Sequence, residues 1–198
     1  MAIQTVTKVY GVDDFKMFPV TQDDAEGFKC GEAIDGVGVK QVSITFEADE
    51  KDLTGDEMTL DTISKIKSVT VSTEIAKLNL EAMALFTGGN LTNATDKATL
   101  SIGSNASGNQ KYFQAQFQIK TTDNEGGDLH YVIYKAKATS TPINGTEDDY
   151  ATFSIDCKGV FTTYAGFAGA NSTKEQKLVD IVVNKEVTAL TAVVSSEI

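Results

Sequence analysis

The chain has 198 residues, a net charge of −11, and 41% hydrophobic against 23% charged residues. That is enough length and apolar content for one domain with a real core, and it excludes a disordered or fibrous class. All 17 basic residues are lysines, which argues against binding nucleic acid through guanidinium forks and basic patches.

Residues 1–36 carry short apolar pieces (Val6, Val9, Tyr10, Phe15, Met17, Phe18, Val20) broken by Asp13-Asp14, Pro19 and Asp23-Asp24. They show no clear period and read as an N-terminal arm that packs on something else. No basic cap precedes an apolar run, so no secretory leader is expected.

From Val39 the pattern sharpens. Val42, Ile44 and Phe46 alternate with Gln41, Ser43, Thr45 and Glu47, which predicts a strand over 39–47 with one wet face. The stretch 48–62 sets Asp49, Glu50, Asp52, Asp56, Glu57 and Asp61 against Lys51 alone. It reads as an extended acidic loop, longer than the about two to five residues of a tight hairpin. A second strand of the same character follows over 67–75, with Val69 and Val71 inward and Ser68, Thr70, Ser72 and Glu74 outward. Asn79 can cap a short apolar helix over 79–87, and Gly88 suits its left-handed stop.

Later strands are expected at 98–102, 113–120, 129–140 and 151–161, with another over 177–184. In FQAQFQIK, Phe113, Ala115, Phe117 and Ile119 point inward and Gln114, Gln116, Gln118 and Lys120 outward. Ala151, Phe153, Ile155 and Cys157 form the inward set of ATFSIDCKGVF. Turns rich in Asn, Gly, Ser or acid separate these runs. The expectation is an all-β sandwich or barrel with one short helix: an arm over 1–36, a core over 37–184 and a C-terminal tail over 185–198.

Catalytic constellations are absent from this pattern. His130 is the lone histidine, opens a strand and has no nucleophile elbow nearby; Cys157 lies on an apolar face and Cys30 has no CxxC spacing. Neither DNEGGD nor ADEKDLTGDE matches the acidic ladder of an EF-hand, and no zinc spacing or phosphate-cradling glycine loop is found. No cofactor and no metal are expected, and the chain does not read as an enzyme. No window approaches the ~18 consecutive apolar residues of a membrane helix, so no membrane partner is expected.

The order of elements over 37–89 resembles the major tail tube proteins of siphophages, the long, flexible-tailed bacteriophages. The features that carry it are a glycine-rich entry (Gly36, Gly38), a VKQVSITFE strand, an acidic segment with LTGDE, a strand ending VSTE, and a LEAMALFTGG helix. The later YFQAQFQIK, YVIYKAKATS and DDYATFSIDCKGVF fit the same organisation.

The resemblance implies a β-sandwich protomer in hexameric rings, closed by an inner β-barrel and stacked around a tape measure protein. Its location would be the virion tail, assembled in the bacterial host cytoplasm. Its partners would be itself, tail tip and terminator proteins, and DNA that passes without specific binding. Gln41, Ser43, Thr45, Glu47, Ser68, Thr70, Ser72 and Glu74 would face the lumen. Asp49, Glu50, Asp52, Asp56, Glu57 and Asp61 would lie in a loop reaching the next ring, as would the two termini. Other readings left open by the residues are a tail terminator, a capsid decoration protein, an injection-system tube and a β-sandwich glycan-binding module.

Overall fold

Apolar–polar alternation makes most of this chain extended, and the long runs pair with one another because only pairing satisfies their backbone groups. The computed structural model describes residues 8–55, 58–122, 127–146, 149–169 and 173–195. The first half holds β1 (Val9–Asp23), β2 (Phe28–Cys30), β3 (Ile34–Asp35), β4 (Val39–Gly55), β5 (Met58–Ile75), α1 (Leu80–Thr87), β6 (Asn90–Asn93) and β7 (Ala98–Ser101). The second half holds the single turn α2 (Ala106–Asn109), β8 (Phe113–Thr121), β9 (Asp128–Ser140), β10 (Ile143–Thr146), β11 (Asp149–Gly159), β12 (Phe167–Ala168), β13 (Lys174–Glu175) and β14 (Val179–Val183).

One sheet dominates, in the order β2-β1-β8-β9-β11-β5-β4, with β3 on β1, β10 on β11 and β14 on β9. The pairings are antiparallel. The sheet folds over so that β1 approaches β4 without pairing with it. The all-β class with one short helix is therefore as expected.

Inside the fold lie Phe15 and Met17 of β1, Val69 and Val71 of β5, Phe113 and Phe117 of β8, Ile133 of β9, and Ile155 and Cys157 of β11. The Phe15 and Phe117 rings stack with centroids 4.4 Å apart. Leu85 and Phe86 of α1 add to this core. The helix is bounded as its sequence suggests. Asn79 accepts hydrogen bonds from the N–H groups of Glu81 (2.9 Å) and Ala82 (3.3 Å). Gly88, at φ 70°, donates its N–H to Ala84 O, and a Cβ there would meet Ala106 O at 2.0 Å.

A second cluster, Phe28, Val132, Tyr134, Tyr164 and Phe167, lies on the other face of the sheet. Just past its β9 residues the strand bulges. Phe113 sits opposite Ala136 but Ala115 opposite Ile133, so β9 holds one extra residue there. The bulge shifts the phase, leaving Ile133 and Ala136 both inward while Val132 and Tyr134 face outward. LHYVIY is apolar on both faces because each face meets its own cluster, and after the bulge Ala136 and Ala138 point inward.

Four expectations need correcting. The N-terminal arm is not an arm over its described part: β1 pairs with β8 along nearly its whole length. Bulges between Tyr10, Val12 and Asp14 break its period of two, and Gly11 takes up φ 68° at the first of them. The acidic loop 48–62 is not a loop, because β4 and β5 continue through it as one long hairpin down to Gly55 and Met58. The outward glutamines of β8 are buried rather than wet: Gln114 is 0% and Gln116 1% exposed. The C-terminal tail is what buries them, since residues 184–195 run across them as a strap.

That strap is held by side chains acting as a substitute strand edge. Gln114 donates to Val193 O and accepts from Val193 N, each at 2.9 Å; Gln116 donates to Thr191 O (2.7 Å) and Gln118 to Thr188 O (2.8 Å). At one end the fully buried Asp128 carboxylate accepts from Gln118, Asn184 and the Thr188 N–H, with His130 Nε2 at 3.0 Å. At the other, Ser195 Oγ accepts from Phe28 N. Such bonds matter because a buried amide left without a partner costs about 1–3 kcal/mol.

Candidate functional site

The outer face of β4, β5 and β11 is a long polar surface that the described residues leave uncovered. The eight positions expected on the wet face come together as four cross-strand pairs: Gln41 with Glu74, Ser43 with Ser72, Thr45 with Thr70, and Glu47 with Ser68. A period of two places alternate residues on one face, and the antiparallel register then brings the two sets side by side.

A third row comes from β11, far away in sequence. Ser154 sits opposite Glu74, Asp156 opposite Ser72 and Lys158 opposite Thr70. These residues were not singled out as site residues, although ATFSIDCKG alternates in the same way. Its outward set simply had no register to attach to until β11 paired with β5.

Hydrogen bonds knit the rows together. Ser68 Oγ and Thr70 Oγ1 donate to Glu47 at 2.7 and 2.5 Å, Lys158 Nζ donates to Glu47 Oε2 at 2.9 Å, and Ser72 Oγ donates to Asp156 Oδ1 at 2.6 Å. The bonds from Thr70, Ser68 and Lys158 hold the Glu47 carboxyl at a pKa of about 2. Ser68 is the exception within the face. It is 1% exposed, because the Glu47 side chain bends over it to take its hydroxyl proton. Gln41, Ser43, Thr45 and Ser72 are open to solvent, and Glu47, Thr70 and Glu74 half-open.

Two lysines beside these rows are ion-paired. Lys40 lies 3.8 Å from Glu74 and Lys67 3.0 Å from Asp49. Beyond Glu47, β4 and β5 go on pairing with each other, and Asp49, Ile66 and Lys67 line a cavity with Phe161 and Gln176. Asp49, Glu50, Asp52 and Asp61 are exposed on this hairpin, and Thr62 Oγ1 donates to Asp52. Asp56 and Glu57 lie outside the described residues. Leu53 and Ile63, on one face of this extension, are 61% and 68% exposed.

One border of the polar ribbon is open along β4 and the other only along β10. β4 ends the sheet, so its outer edge pairs with no strand among the described residues. On the opposite side β9 covers residues 156–159 of β11, and β10, which carries on its line past Pro142 beside residues 149–153, has no second partner among the described residues. Unpaired N–H and C=O groups along a long strand are a template for another chain, and β4 lacks the usual blocks of brevity or proline.

Elsewhere the titratable groups are structural. Burial pushes the Cys30 thiol up to about 12 and raises Cys157 further, so neither is a thiolate at neutral pH. Burial raises the Asp128 carboxyl, but the Thr188 N–H, Gln118, Asn184 and His130 together hold it below its ordinary value. Asp23 behaves alike: burial opposes its charge, yet Lys135 and the N–H groups of Thr163 and Tyr164 prevail. No group of three or more His, Cys, Asp or Glu that could hold a metal occurs among the described residues. No helix among them is long and apolar enough to cross a membrane.

No known protein-family model matches the chain, and no curated protein matches it. Solved structures give loose likenesses. A chain in the tail of an empty gene transfer agent particle, refined helically with C6 symmetry, matches at TM-score 0.35 and 15% identity, over 66% of this chain and 83% of that one. A chain in the virion of a native gene transfer agent particle matches at TM-score 0.37 and 15% identity, over 81% and 95%. One in the sixfold-symmetrised baseplate of the anti-feeding prophage matches at TM-score 0.41 and 8% identity, over 92% and 97%. Overlaps this loose carry no argument about this chain.

Proposed function

We propose that the chain is a structural virion protein, the tube subunit of a long phage tail. Its copies join edge to edge into rings, hexameric in the resembled family, and the rings stack into a hollow conduit. The observation that carries this reading is a polar ribbon, β4-β5-β11-β10, whose outer strands β4 and β10 each keep one edge unpaired among the described residues. The strands alternate in direction, and four is an even number. A neighbour related by rotation therefore presents its β4 antiparallel to this copy's β10. The sheet can then continue from copy to copy with the same face inward, and closing the ring leaves no edge.

The inner wall of such a ring is hydroxyls, amides and carboxylates. Lys40 and Lys158 on this wall are ion-paired, and the carboxylates repel phosphate, so DNA and a tape measure protein can slide past. The acidic hairpin beyond Glu47, with Leu53 and Ile63 exposed, is available to the neighbouring ring.

Negative-stain micrographs of the concentrated protein, with and without tail tips as seeds, test the proposal. Rings or hollow tubes are expected. A protein that stays monomeric in sedimentation under both conditions would falsify it. Thr45→Pro and Phe46→Pro remove N–H groups that point to opposite sides of β4; the one that faces the open edge should abolish assembly while far-ultraviolet circular dichroism stays that of a folded β-protein.

A further inference from the structure

We propose that Glu47 is a specificity-determining residue of the polar face, masking the ammonium of Lys158 so that the face does not retain a passing polyanion. The purpose of the mask rests on the conduit reading, but its existence does not.

Lys158 stands in the β11 row, opposite Thr70 on one side and Lys137 on the other. Its side chain is 49% exposed, so it is within reach of anything moving along the face. The lysines nearest to it have partners, Lys40 in Glu74, Lys67 in Asp49, and Lys137 over the Tyr112 ring at 5.5 Å, while Lys51 and Lys65 stand farther out on the hairpin. Lys158 is the one in the middle, where an unmasked charge would recur once per copy around a ring.

Glu47 is suited to neutralise it because its own position does not depend on the lysine. Ser68 and Thr70 donate to the two carboxylate oxygens from the neighbouring strand, at 2.7 and 2.5 Å. Lys158 then comes to a carboxylate already held in place, at 2.9 Å. At the distance of a sliding phosphate the pair presents a dipole rather than a charge, and its field falls off far faster. An exposed ion pair of this kind adds little to stability, so its effect lies in what the surface attracts.

The test uses the full chain as wild type, Glu47→Gln, Lys158→Gln and the double variant, with anisotropy of a labelled 20-base-pair duplex at low salt as the readout. The probe length is about two helical turns, enough to span several contacts. Wild type and Lys158→Gln should leave the duplex free. Glu47→Gln should bind it, with affinity falling about threefold per engaged lysine between about 50 and about 200 mM salt. The double variant should return to the wild-type level.

Binding by Glu47→Gln no stronger than wild type overturns the mask, and so does equal binding by the single and double variants. If Glu47→Gln unfolds, acylation of wild type with an N-hydroxysuccinimide ester decides instead. Lys158 should label several-fold more slowly than Lys51 and Lys65 of the hairpin, and equal rates overturn the proposal. Wild-type micrographs without rings or tubes sink the conduit alone. Tubes with an unchanged Glu47→Gln sink the mask alone.

Discussion

The outer face of β8 and the outer face of β4 and β5 carry the same alternation and meet opposite fates. On β8, Gln114, Gln116 and Gln118 are buried under the chain's own C-terminal strap, their amides spent on its backbone. On β4 and β5, Gln41, Ser43, Thr45 and Ser72 face solvent, and hydroxyl bonds run mainly to carboxylates of the same face. Long amides can reach over a strand's width to pair with a second layer, whereas short hydroxyls end at their neighbours. A polar face is therefore a docking site for the chain itself in one place and a free surface in the other.

The largest expected effect anchors the comparison to the shared core. Phe117→Ala removes a ring that is fully buried against Phe15 and lies directly under the glutamine face. It should cost about 3–5 kcal/mol in chemical denaturation.

Gln116→Ala comes next. It deprives Thr191 O and Gln114 Oε1 of a donor in a dry site, for about 1–3 kcal/mol. Amide exchange in 188–193 should rise in this variant more than exchange in β4. Equal rises would mean that the strap is not a separately held layer.

Acid should weaken the strap side. Asp128 has a folded-state pKa below its ordinary 3.8. Its stabilisation is therefore complete above that value and is lost as pH falls through the folded value. Melting temperatures taken from pH 6 downward should drop below about pH 4, and Asp128→Asn should start lower and flatten that drop. A variant as acid-sensitive as wild type would break the assignment.

The smallest effect is the sharpest contrast. Ser43→Ala and Thr45→Ala on the open face should change stability by no more than about 0.5 kcal/mol. A loss matching that of Gln116→Ala would show that the face is not free.

The sequence made most of the strands legible, with the helix caps and the inward set of each clean strand, because a period of two and an Asn–Gly bracket are local signals. β1 was hidden because its bulges at Tyr10 to Asp14 destroy the period, and the β4–β5 extension because Asp and Glu run through exposed strands there. The three-row site was partly legible. Eight of its residues lie on two neighbouring strands, but Asp156 and Lys158 join them only through the β11–β5 register.

Residue order alone determined which side chains share a face, since that follows from backbone geometry at each strand. Which of those faces stays wet was settled only in three dimensions. It depends on where 184–195 comes to lie and which edge is left unpaired, and both are long-range outcomes that no local period encodes.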